Sequence, residues 1–258
     1  MIRHFQILLA KFVGWLASAK FPQKPLRWAV RIYVKYYQIS LDDFDFDENR
    51  FSCFDDFFTR KIKQNARALD DGIISPVDAT VYAAGEIQNG QILQIKSSKI
   101  AVENLFDNAG ISAKYFMSFY LSPADYHRVH APVDLKVVGI KYIPGMFYSV
   151  RPKIAKKRKV FLKNERVVLD CETAEGSLYL AIVAAQNVGK IELKPLGGSC
   201  PREKKITVFN NPKQTEFKKG EELGVFHLGS SVVLLTGNTM LKTFENYVVK
   251  FGESISHK

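Results

Sequence analysis

Side chains that could together form an activated nucleophile occur at three separate places in the 258-residue chain. They are Asp78, the pair His127 and His130, and Ser230 near the C-terminus. A serine hydroxyl is a weak nucleophile until a base takes its proton, and an imidazole oriented by a carboxylate is a common base. These residue types alone are weak support for a catalytic triad, because a chain of this length always contains several of each.

The two histidines lie three residues apart at the end of a short polar segment. Ser122 suits a helix N-cap, Pro123 suits the first helical position and Asp125 completes a capping box. The sequence therefore predicts one helical turn that presents both imidazoles on one face. Two imidazoles at this spacing can bind a metal ion, transfer protons or donate to backbone carbonyls, and the sequence leaves all three possibilities open.

The elements that position these residues belong to a mostly β body that follows Pro76. Asn89-Gly90 is typical of a two-residue hairpin turn. The predicted strands beyond that turn are Lys114–Leu121, Leu135–Tyr142, Arg166–Cys171, Leu178–Ala185, Lys190–Leu193, Glu222–Leu228 and Ser231–Leu235. The chain is thus predicted to be α+β, with N-terminal helices followed by a mostly antiparallel β body.

A short helix is predicted just before the body. Ser52 followed by Asp55 resembles a capping box. The predicted apolar face consists of Phe54, Phe57, Phe58 and Ile62. Arg60 and the lysines after it are expected at the C-terminal end of this helix, where the dipole favours positive charge.

The first 38 residues carry seven bases and no acid. The apolar residues that recur at helical spacing are Leu26, Val30, Tyr33, Val34 and Tyr37, and Arg27, Arg31 and Lys35 form a basic stripe beside them. With Trp15 and Trp28 as interfacial anchors, residues 5–38 are predicted to form helices in the headgroup layer of an anionic membrane. The alternative is a helix packed on its own domain with a solvated basic edge.

A membrane-spanning helix is not predicted, because Lys11 and Lys20 interrupt the first apolar segment. Arg3 followed by an apolar stretch that ends in 17–19 (Ala-Ser-Ala) also resembles a signal peptide. Gln6 and Lys11 within that stretch argue against this alternative.

The chain holds 37 basic and 26 acidic residues, so its net charge is +11 and it should be drawn to anionic surfaces. A second basic block runs from Arg151 to Lys163 and could contact a membrane or form a solvated loop. Nucleic acid is a poorer partner, since aromatic residues do not alternate with the bases of the block. The cysteines Cys53, Cys171 and Cys200 include no C-x-x-C pair, which favours a reducing compartment.

The segments around these residues resemble the phosphatidylserine decarboxylases, a pyruvoyl-dependent family. The resemblance also includes Phe57–Arg60, Tyr120–Pro123, Tyr142–Gly145 and Asn164–Val167, and it runs in order from about residue 50 to 236. Two positions differ from the pattern. Ala79 stands where the family often has glycine, and Ser231 stands where it often has threonine, although the hydroxyl is kept.

The resemblance implies roles for the candidate residues. Asp78, His130 and Ser230 match the self-processing triad, and His127 matches the second histidine, expected to return a proton to the substrate. Cleavage between Gly229 and Ser230 would give a β chain of residues 1–229 and an α chain of residues 230–258. Ser230 would become a pyruvoyl group, which forms a Schiff base with phosphatidylserine and releases phosphatidylethanolamine.

The same resemblance implies an organisation and a location. Residues 1–65 are expected to be membrane-associating helices and linker, and residues 66–258 a catalytic domain resembling the lipoyl- and biotinyl-carrier fold. The cleaved enzyme is expected to homodimerise on the cytoplasmic side of the inner membrane. Three alternatives remain: a zinc hydrolase using Asp78, His127 and His130, a pyruvoyl enzyme for another amino acid, and a non-enzymatic membrane-binding or carrier module.

Overall fold

The computed structural model is α+β, as predicted, with 19% of residues in helices and 38% in strands. The structure describes residues 2–47, 51–95, 98–151, 155, 159–185, 190–210, 212–213, 215–227, 230–243 and 246–257. Gly229 and most of the basic block, including Lys153, Lys156, Lys157 and Arg158, lie outside the described residues.

Five α-helices precede or interrupt the β body among the described residues. They are α1 (Ile2–Ser18), α2 (Gln23–Tyr37), α3 (Phe54–Phe58), α4 (Val102–Phe106) and α5 (Val160–Lys163), with a 3₁₀ helix at Lys194–Leu196. The amphipathic helices predicted over residues 5–38 correspond to α1 and α2. Helix α2 ends at Gln38, which takes a left-handed conformation.

The described strands form two larger sheets and one hairpin. They are β1 (Ala79–Glu86), β2 (Gln91–Ile95), β3 (Ser98–Ala101), β4 (Tyr115–Leu121), β5 (Arg128–His130), β6 (Leu135–Ile143), β7 (Arg166–Thr173), β8 (Gly176–Ala184), β9 (Lys190–Leu193), β10 (Gly198–Ser199), β11 (Thr207–Phe209), β12 (Glu216–Phe217), β13 (Glu222–His227), β14 (Ser230–Thr236) and β15 (Tyr247–Val249). The nine-stranded sheet has the order β11-β6-β7-β8-β14-β4-β1-β15, with β12 also on β6, and the four-stranded sheet has the order β10-β9-β13-β5. All pairings within these sheets are antiparallel, which confirms the predicted character of the body.

The larger sheet brings the candidate segments to one edge. Ser230 begins β14 and pairs with Leu121, the last residue of β4. Thr80 at the start of β1 pairs with Tyr120 on the other side of β4. Because antiparallel neighbours run in opposite directions, the start of β14, the end of β4 and the start of β1 meet there, within about 10 Å.

Strand β14 is the central strand between β8 and β4, and all its residues are buried. A run of valine and leucine after Ser231 fits this position, since both faces of the strand are covered. Ser230 therefore starts on a rigid, buried strand.

The predicted strands in the body all form, with ends that differ by at most two residues; the predicted end at Leu228 lies outside the described residues. The turn at Asn89-Gly90 also forms, and both residues have positive φ angles of 51° and 68°. The hairpin around it is short, however, because only Gln88 and Gln91 bridge across it. The predicted two-residue turn is therefore confirmed, and beyond its bridge β1 pairs with β4 and β2 pairs with β3.

Helix α3 differs from its prediction in length and capping. Its N-cap is Cys53, and the carboxylate of Asp56, not Asp55, accepts hydrogen bonds from the backbone of Ser52 and Cys53. The helix ends at Phe58, before a second turn is completed, and the rings of Phe57 and Phe58 are buried in the core. Arg60, expected at the C-terminal end of this helix, thus lies two residues beyond it and is buried.

The predicted apolar face of α2 packs on the protein. Leu26 and Val30 are buried in a cluster with Phe51 and Phe57 of the α3 region, and Tyr33 packs against it. For this face the alternative of a helix docked on its own domain is correct. Other apolar residues of the two helices remain exposed, among them Leu8, Phe12, Trp15, Trp28, Ile32 and Tyr36.

Candidate active site

The segment before His127 is a turn and not the predicted helical turn. Its reciprocal bonds do form, because Ser122 N–H donates to the Asp125 carboxylate and Asp125 N–H donates to the Ser122 carbonyl. The chain then enters β5, so His127 precedes a strand that His130 ends. In extended chain, positions three apart lie on opposite faces, and the prediction of a shared face is wrong.

The N-terminal region holds this turn in place. The Tyr33 hydroxyl of α2 donates to the Pro123 carbonyl at 2.8 Å. The Arg60 Nη2 donates to the Ala124 carbonyl at 2.9 Å. The guanidinium of Arg128 donates to the Thr59 carbonyl. The segment that carries the histidines is therefore fixed by Tyr33, Thr59 and Arg60, which all lie before the predicted boundary at residue 65.

Asp78 is held by an arginine that the sequence analysis did not single out. Both carboxylate oxygens accept from Arg67, with the Nη2 bond at 3.0 Å, and the same arginine donates to Asp43. Burial opposes the charge of Arg67, but its bonds to the two carboxylates outweigh this effect and raise its pKa. Asp78 also accepts from the backbone N–H of Phe251 at 2.8 Å.

His130 is bonded at both ring nitrogens. Nδ1 lies 2.8 Å from the Gly220 carbonyl and Nε2 lies 2.8 Å from the Tyr126 hydroxyl. Because a carbonyl only accepts, Nδ1 is the donor of the pair and Nε2 accepts from Tyr126. Burial lowers the pKa of His130 to about 4, so the imidazole is neutral at pH 7.

No hydrogen bond links Asp78 to His130 among the described residues; Phe251 connects them instead. Its N–H bonds the carboxylate, and its ring stacks on the imidazole at a centroid distance of 3.9 Å. Phe251 lies in the segment that would become the short α chain. A cleft of about 330 Å³ opens beside His130, lined also by Tyr126, Arg67 and Glu222.

His127 is more deeply buried than His130 and has a free ring nitrogen. Its Nδ1 donates to the Asp125 carbonyl at 2.8 Å, and its ring packs on Phe58 at 4.2 Å. Nε2 has no partner among the described residues. Burial, opposed in part by the bond to Asp125 and aided by the charge of Arg60, lowers the pKa of His127 to about 3. The neutral ring therefore keeps an unused lone pair on Nε2.

Ser230 is fully buried, and its Oγ has no hydrogen-bond partner among the described residues. The backbone connects it to His127, since Phe226 N–H at the end of β13 donates to the His127 carbonyl. Ser230 follows Phe226 by four positions along the chain. The register therefore places His127 opposite the end of β13, whereas His130 pairs with Glu222 at its start.

Several buried polar side-chain atoms around Ser230 and the histidine turn have no hydrogen-bond partner among the described residues. In the described part of the chain they are Arg60 Nε and Nη1, Tyr82 OH, Ser118 Oγ, His127 Nε2, His227 Nε2, Ser230 Oγ and Ser231 Oγ. Ser118 and Ser231 lie on β4 and β14, and the ring of Tyr82 stacks on that of Tyr120 at 5.1 Å. Buried polar groups are almost always bonded, so a concentration of exceptions indicates a site whose partners are substrate or water.

A zinc site does not fit this arrangement. No group of three or more His, Cys, Asp or Glu side chains in the described ranges could hold a metal ion. Asp78 is occupied by Arg67, and the Nε2 of His130 is occupied by Tyr126. The zinc hydrolase alternative therefore lacks its ligand set.

Four residues of the site were not predicted from the sequence to be functional. Arg60 lies in the matched segment 57–60, and Tyr126 lies between Asp125 and the first histidine, so both stood in segments already singled out. Arg67 and Phe251 carried no local signal. They meet Asp78 only through the tertiary fold, and Phe251 is 173 residues from it.

The comparisons with known proteins agree with the geometry. The family model for phosphatidylserine decarboxylase matches residues 54–257. Proteins named phosphatidylserine decarboxylase proenzyme are 32% identical over 97% of this chain in Coxiella burnetii strain RSA 493 and 34% identical over 96% in Campylobacter jejuni, covering 94% and 97% of those proteins. One from Legionella pneumophila strain Lens is 34% identical over 89% of this chain and 84% of its own length. The chain belongs to the phosphatidylserine decarboxylase family.

Proposed function

We propose that this decarboxylase is made as a proenzyme that cleaves itself between Gly229 and Ser230 and then acts on phosphatidylserine at a membrane surface. The observation that carries the proposal is the position of Ser230. Its hydroxyl is buried without a partner at the start of the central strand, at the edge where Asp78 and the histidine turn converge.

Self-cleavage requires a base for the Ser230 hydroxyl. His130 is neutral at pH 7 and keeps its proton on Nδ1, so Nε2 is the nitrogen that can accept a proton, once the hydrogen bond that it accepts from Tyr126 opens. Asp78 and Phe251 stabilise this side of the site through the stacked ring. We assign His130 and Asp78 to processing, in agreement with the family triad.

The bond changes of processing balance as follows. Ser230 Oγ attacks the Gly229 carbonyl, the peptide nitrogen leaves, and an ester replaces the amide. Elimination across Cα and Cβ of Ser230 then releases a carboxylate at Gly229. Water displaces ammonia from the new N-terminus, so the products are residues 1–229 and a blocked chain of residues 230–258.

The buried, unpartnered Ser230 fits the residue that becomes the pyruvoyl group. Once formed, this group supplies a carbonyl that accepts the electrons left on the α-carbon as carbon dioxide departs. His127 is assigned to return a proton to that carbon, because the free lone pair on its Nε2 can first take up a proton that the substrate ammonium releases and then donate it. Phe58 covers the His127 ring and helps to exclude water from the site.

Access to a lipid substrate is assigned to α1 and α2. Trp15, Trp28 and Tyr36 expose 65%, 68% and 76% of their surface, which is unusual for large aromatic side chains outside an interface. The helices of the described residues are too short or too polar to cross a bilayer. Binding at the headgroup layer of the cytoplasmic leaflet, residues 1–65 as a membrane-associating unit, and homodimerisation remain predictions of this proposal.

Processing is tested by mass spectrometry of purified protein. Wild type should give two chains whose masses sum to less, by one ammonia, than hydrolysis of the peptide bond would give. Ser230→Ala should stay whole and inactive, whereas Ser231→Ala, which removes the neighbouring buried hydroxyl, should still be cleaved. His130→Gln and Asp78→Asn should block cleavage, and His127→Gln should be cleaved without decarboxylating. An intact Ser230→Ala chain that decarboxylates phosphatidylserine sinks the proposal.

Membrane binding is tested by sedimentation with vesicles that contain anionic lipid. Replacing Trp15 and Trp28 by alanine should weaken vesicle binding by about 10-fold or more, since each buried indole contributes apolar area and an interfacial anchor. Tyr247→Ala removes an exposed aromatic ring from β15 and serves as the control, which should bind like wild type. Equal binding by all three proteins would exclude α1 and α2 as the lipid-binding surface.

A further inference from the structure

Arg60 is a buried cation with unused donors beside the histidine turn. Only 3% of its surface is exposed. Its Nη2 donates to the Ala124 carbonyl at 2.9 Å, while Nε and Nη1 have no hydrogen-bond partner among the described residues. None of the ion pairs formed within the described ranges includes Arg60. A buried guanidinium is normally paired, so the missing partner is a negatively charged group.

Arg166 shows what a purely structural buried arginine looks like in this chain. It is buried to nearly the same extent, and burial lowers the pKa of both arginines to about 10. The guanidinium of Arg166 donates to four backbone carbonyls, those of Asn104, Leu105, Leu162 and Asn164. The fold thus satisfies one buried arginine completely and leaves the other with two free nitrogen atoms.

No carboxylate is hydrogen-bonded to Arg60 among the described residues, although the charges of Asp78 and Asp125 partly offset the effect of burial on its pKa. The rings of Phe44 and Phe57 lie 4.4 and 5.3 Å from its Cζ, and these cation–π contacts leave Nε and Nη1 unbonded. The nearby carboxyl of Asp125 is bonded to Ser122 N–H, and burial raises its pKa to about 6. Entry of a ligand requires one of the two rings to move aside.

We propose that Arg60 binds the phosphodiester of the substrate headgroup through one of its unbonded donors, Nε–H or Nη1–H. This inference rests on the proposed function and adds a substrate-binding residue to it. The Nε–H and Nη1–H groups point in different directions and Nη2 is already bonded, so a phosphodiester oxygen would accept one charge-assisted hydrogen bond and not a bidentate pair.

The phosphodiester fits better than the other anion of the substrate, the carboxylate. The carboxylate loses its charge as carbon dioxide leaves, so a cation bound to it would stabilise the ground state more than the transition state. The phosphodiester keeps its charge throughout the reaction. An arginine bound there anchors the substrate without slowing the chemical step.

The location of Arg60 also suits this role. Three bonds separate the phosphorus from the α-carbon of the serine headgroup, so an anion held at Arg60 keeps that carbon close to the turn that carries His127. The charge of Arg60 contributes to the low pKa of His127. A bound phosphodiester would offset that charge and favour the protonated form of His127, the form that donates a proton.

The test uses the uncleaved Ser230→Ala chain, so it does not depend on the pyruvoyl group. Dihexanoyl phosphatidylethanolamine, a soluble lipid with a phosphodiester and no carboxylate, is titrated by calorimetry. Arg60→Gln in this background should weaken its binding about 10- to 100-fold, the loss expected for a charged hydrogen bond. Lys136→Gln removes the same charge from an exposed position on β6, away from the site, and should bind like the parent.

Arg60→Lys keeps the charge but not the planar group of donors, and it should lose less affinity than Arg60→Gln. In cleaved enzyme, Arg60→Gln should raise the KM for dihexanoyl phosphatidylserine and the inhibition constant of dihexanoyl phosphatidylethanolamine by the same factor, with kcat little changed. A raised KM with unchanged inhibition would mean that Arg60 binds the carboxylate and would overturn the proposal. Equal affinity of all Ser230→Ala variants, or no binding by any of them, also overturns it. Failure of wild type to cleave itself would refute the proposed function without changing these affinities.

Discussion

The active site has two sides that differ in how completely their polar groups are bonded. On the bonded side, Asp78 is held by Arg67 and Phe251, and both nitrogens of His130 have partners. On the unpaired side, Ser230 Oγ, His127 Nε2 and two nitrogens of Arg60 have none among the described residues. Both sides are buried, so exposure to solvent does not explain the difference.

This difference indicates a division of labour. Groups that act as a fixed acid–base framework gain from being oriented before the reaction, and hydrogen bonds to neighbours supply that orientation. Groups that meet a substrate or form a new bond must be free when it arrives. The bonded side is therefore suited to support processing, and the unpaired side is suited to bind the substrate and exchange protons with it.

The strongest test of this comparison removes one arginine from each side. In the Ser230→Ala background, Arg67→Gln leaves Asp78 buried without its ion-pair partner and should lower the free energy of unfolding by about 3–5 kcal/mol. Arg60→Gln removes a charge that has no carboxylate partner, so it should cost at most about 1 kcal/mol. Both values are measured by urea unfolding at pH 7.

The double variant Arg67→Gln/Asp78→Asn is the control for the larger effect. It removes the stranded charge along with its partner and should recover a substantial part of the stability that Arg67→Gln loses. If Arg67→Gln costs less than about 1 kcal/mol, or if Arg60→Gln costs as much, the two sides are not different in the way the bonding indicates.

Sequence reasoning predicted the strands well because each is a short apolar run bounded by turn residues. The edge at which the candidate segments meet follows from how β1, β4 and β14 pair, which local pattern does not determine. The resemblance to a family singled out Asp78, His127, His130 and Ser230, and the fold brings their segments to one edge of the sheet. Their roles remain predictions until the variants are measured.

The failures of prediction share a physical cause, which is that tertiary contacts override local signals. Ser122 and Asp125 form the reciprocal bonds of a capping box, but pairing of β5 with β13 draws the following residues into a strand. The apolar face of α2 has the residue spacing of a membrane-surface helix, but the same spacing also allows it to pack on Phe57, as it does in the structure. In both cases the local pattern fitted more than one partner.

A smaller expected effect is the contribution of His127 and His130 to the pH dependence of the free energy of unfolding. Burial lowers the pKa of His127 to about 3 and that of His130 to about 4, while an unfolded histidine titrates near 6.5. Between these values the unfolded chain binds more protons, so stability falls as the pH is lowered from 6.5. Each histidine should cost about 2 kcal/mol by pH 5. Asp125 acts in the opposite direction, because its pKa is raised to about 6 and the folded chain gains its proton first.

The measurement is the free energy of unfolding of the Ser230→Ala chain at pH 7 and pH 5, with and without His127→Gln or His130→Gln. Each substitution should reduce the loss of stability between the two pH values by about 2 kcal/mol. At pH 7 His130→Gln should be the more destabilising, because it leaves the Tyr126 hydroxyl and the Gly220 carbonyl without a partner, whereas His127→Gln affects one bond to Asp125. Equal stabilities of the two variants at pH 7 would remove the distinction between a bonded and an unpaired histidine, while an unchanged pH dependence would show that neither is buried as a neutral ring.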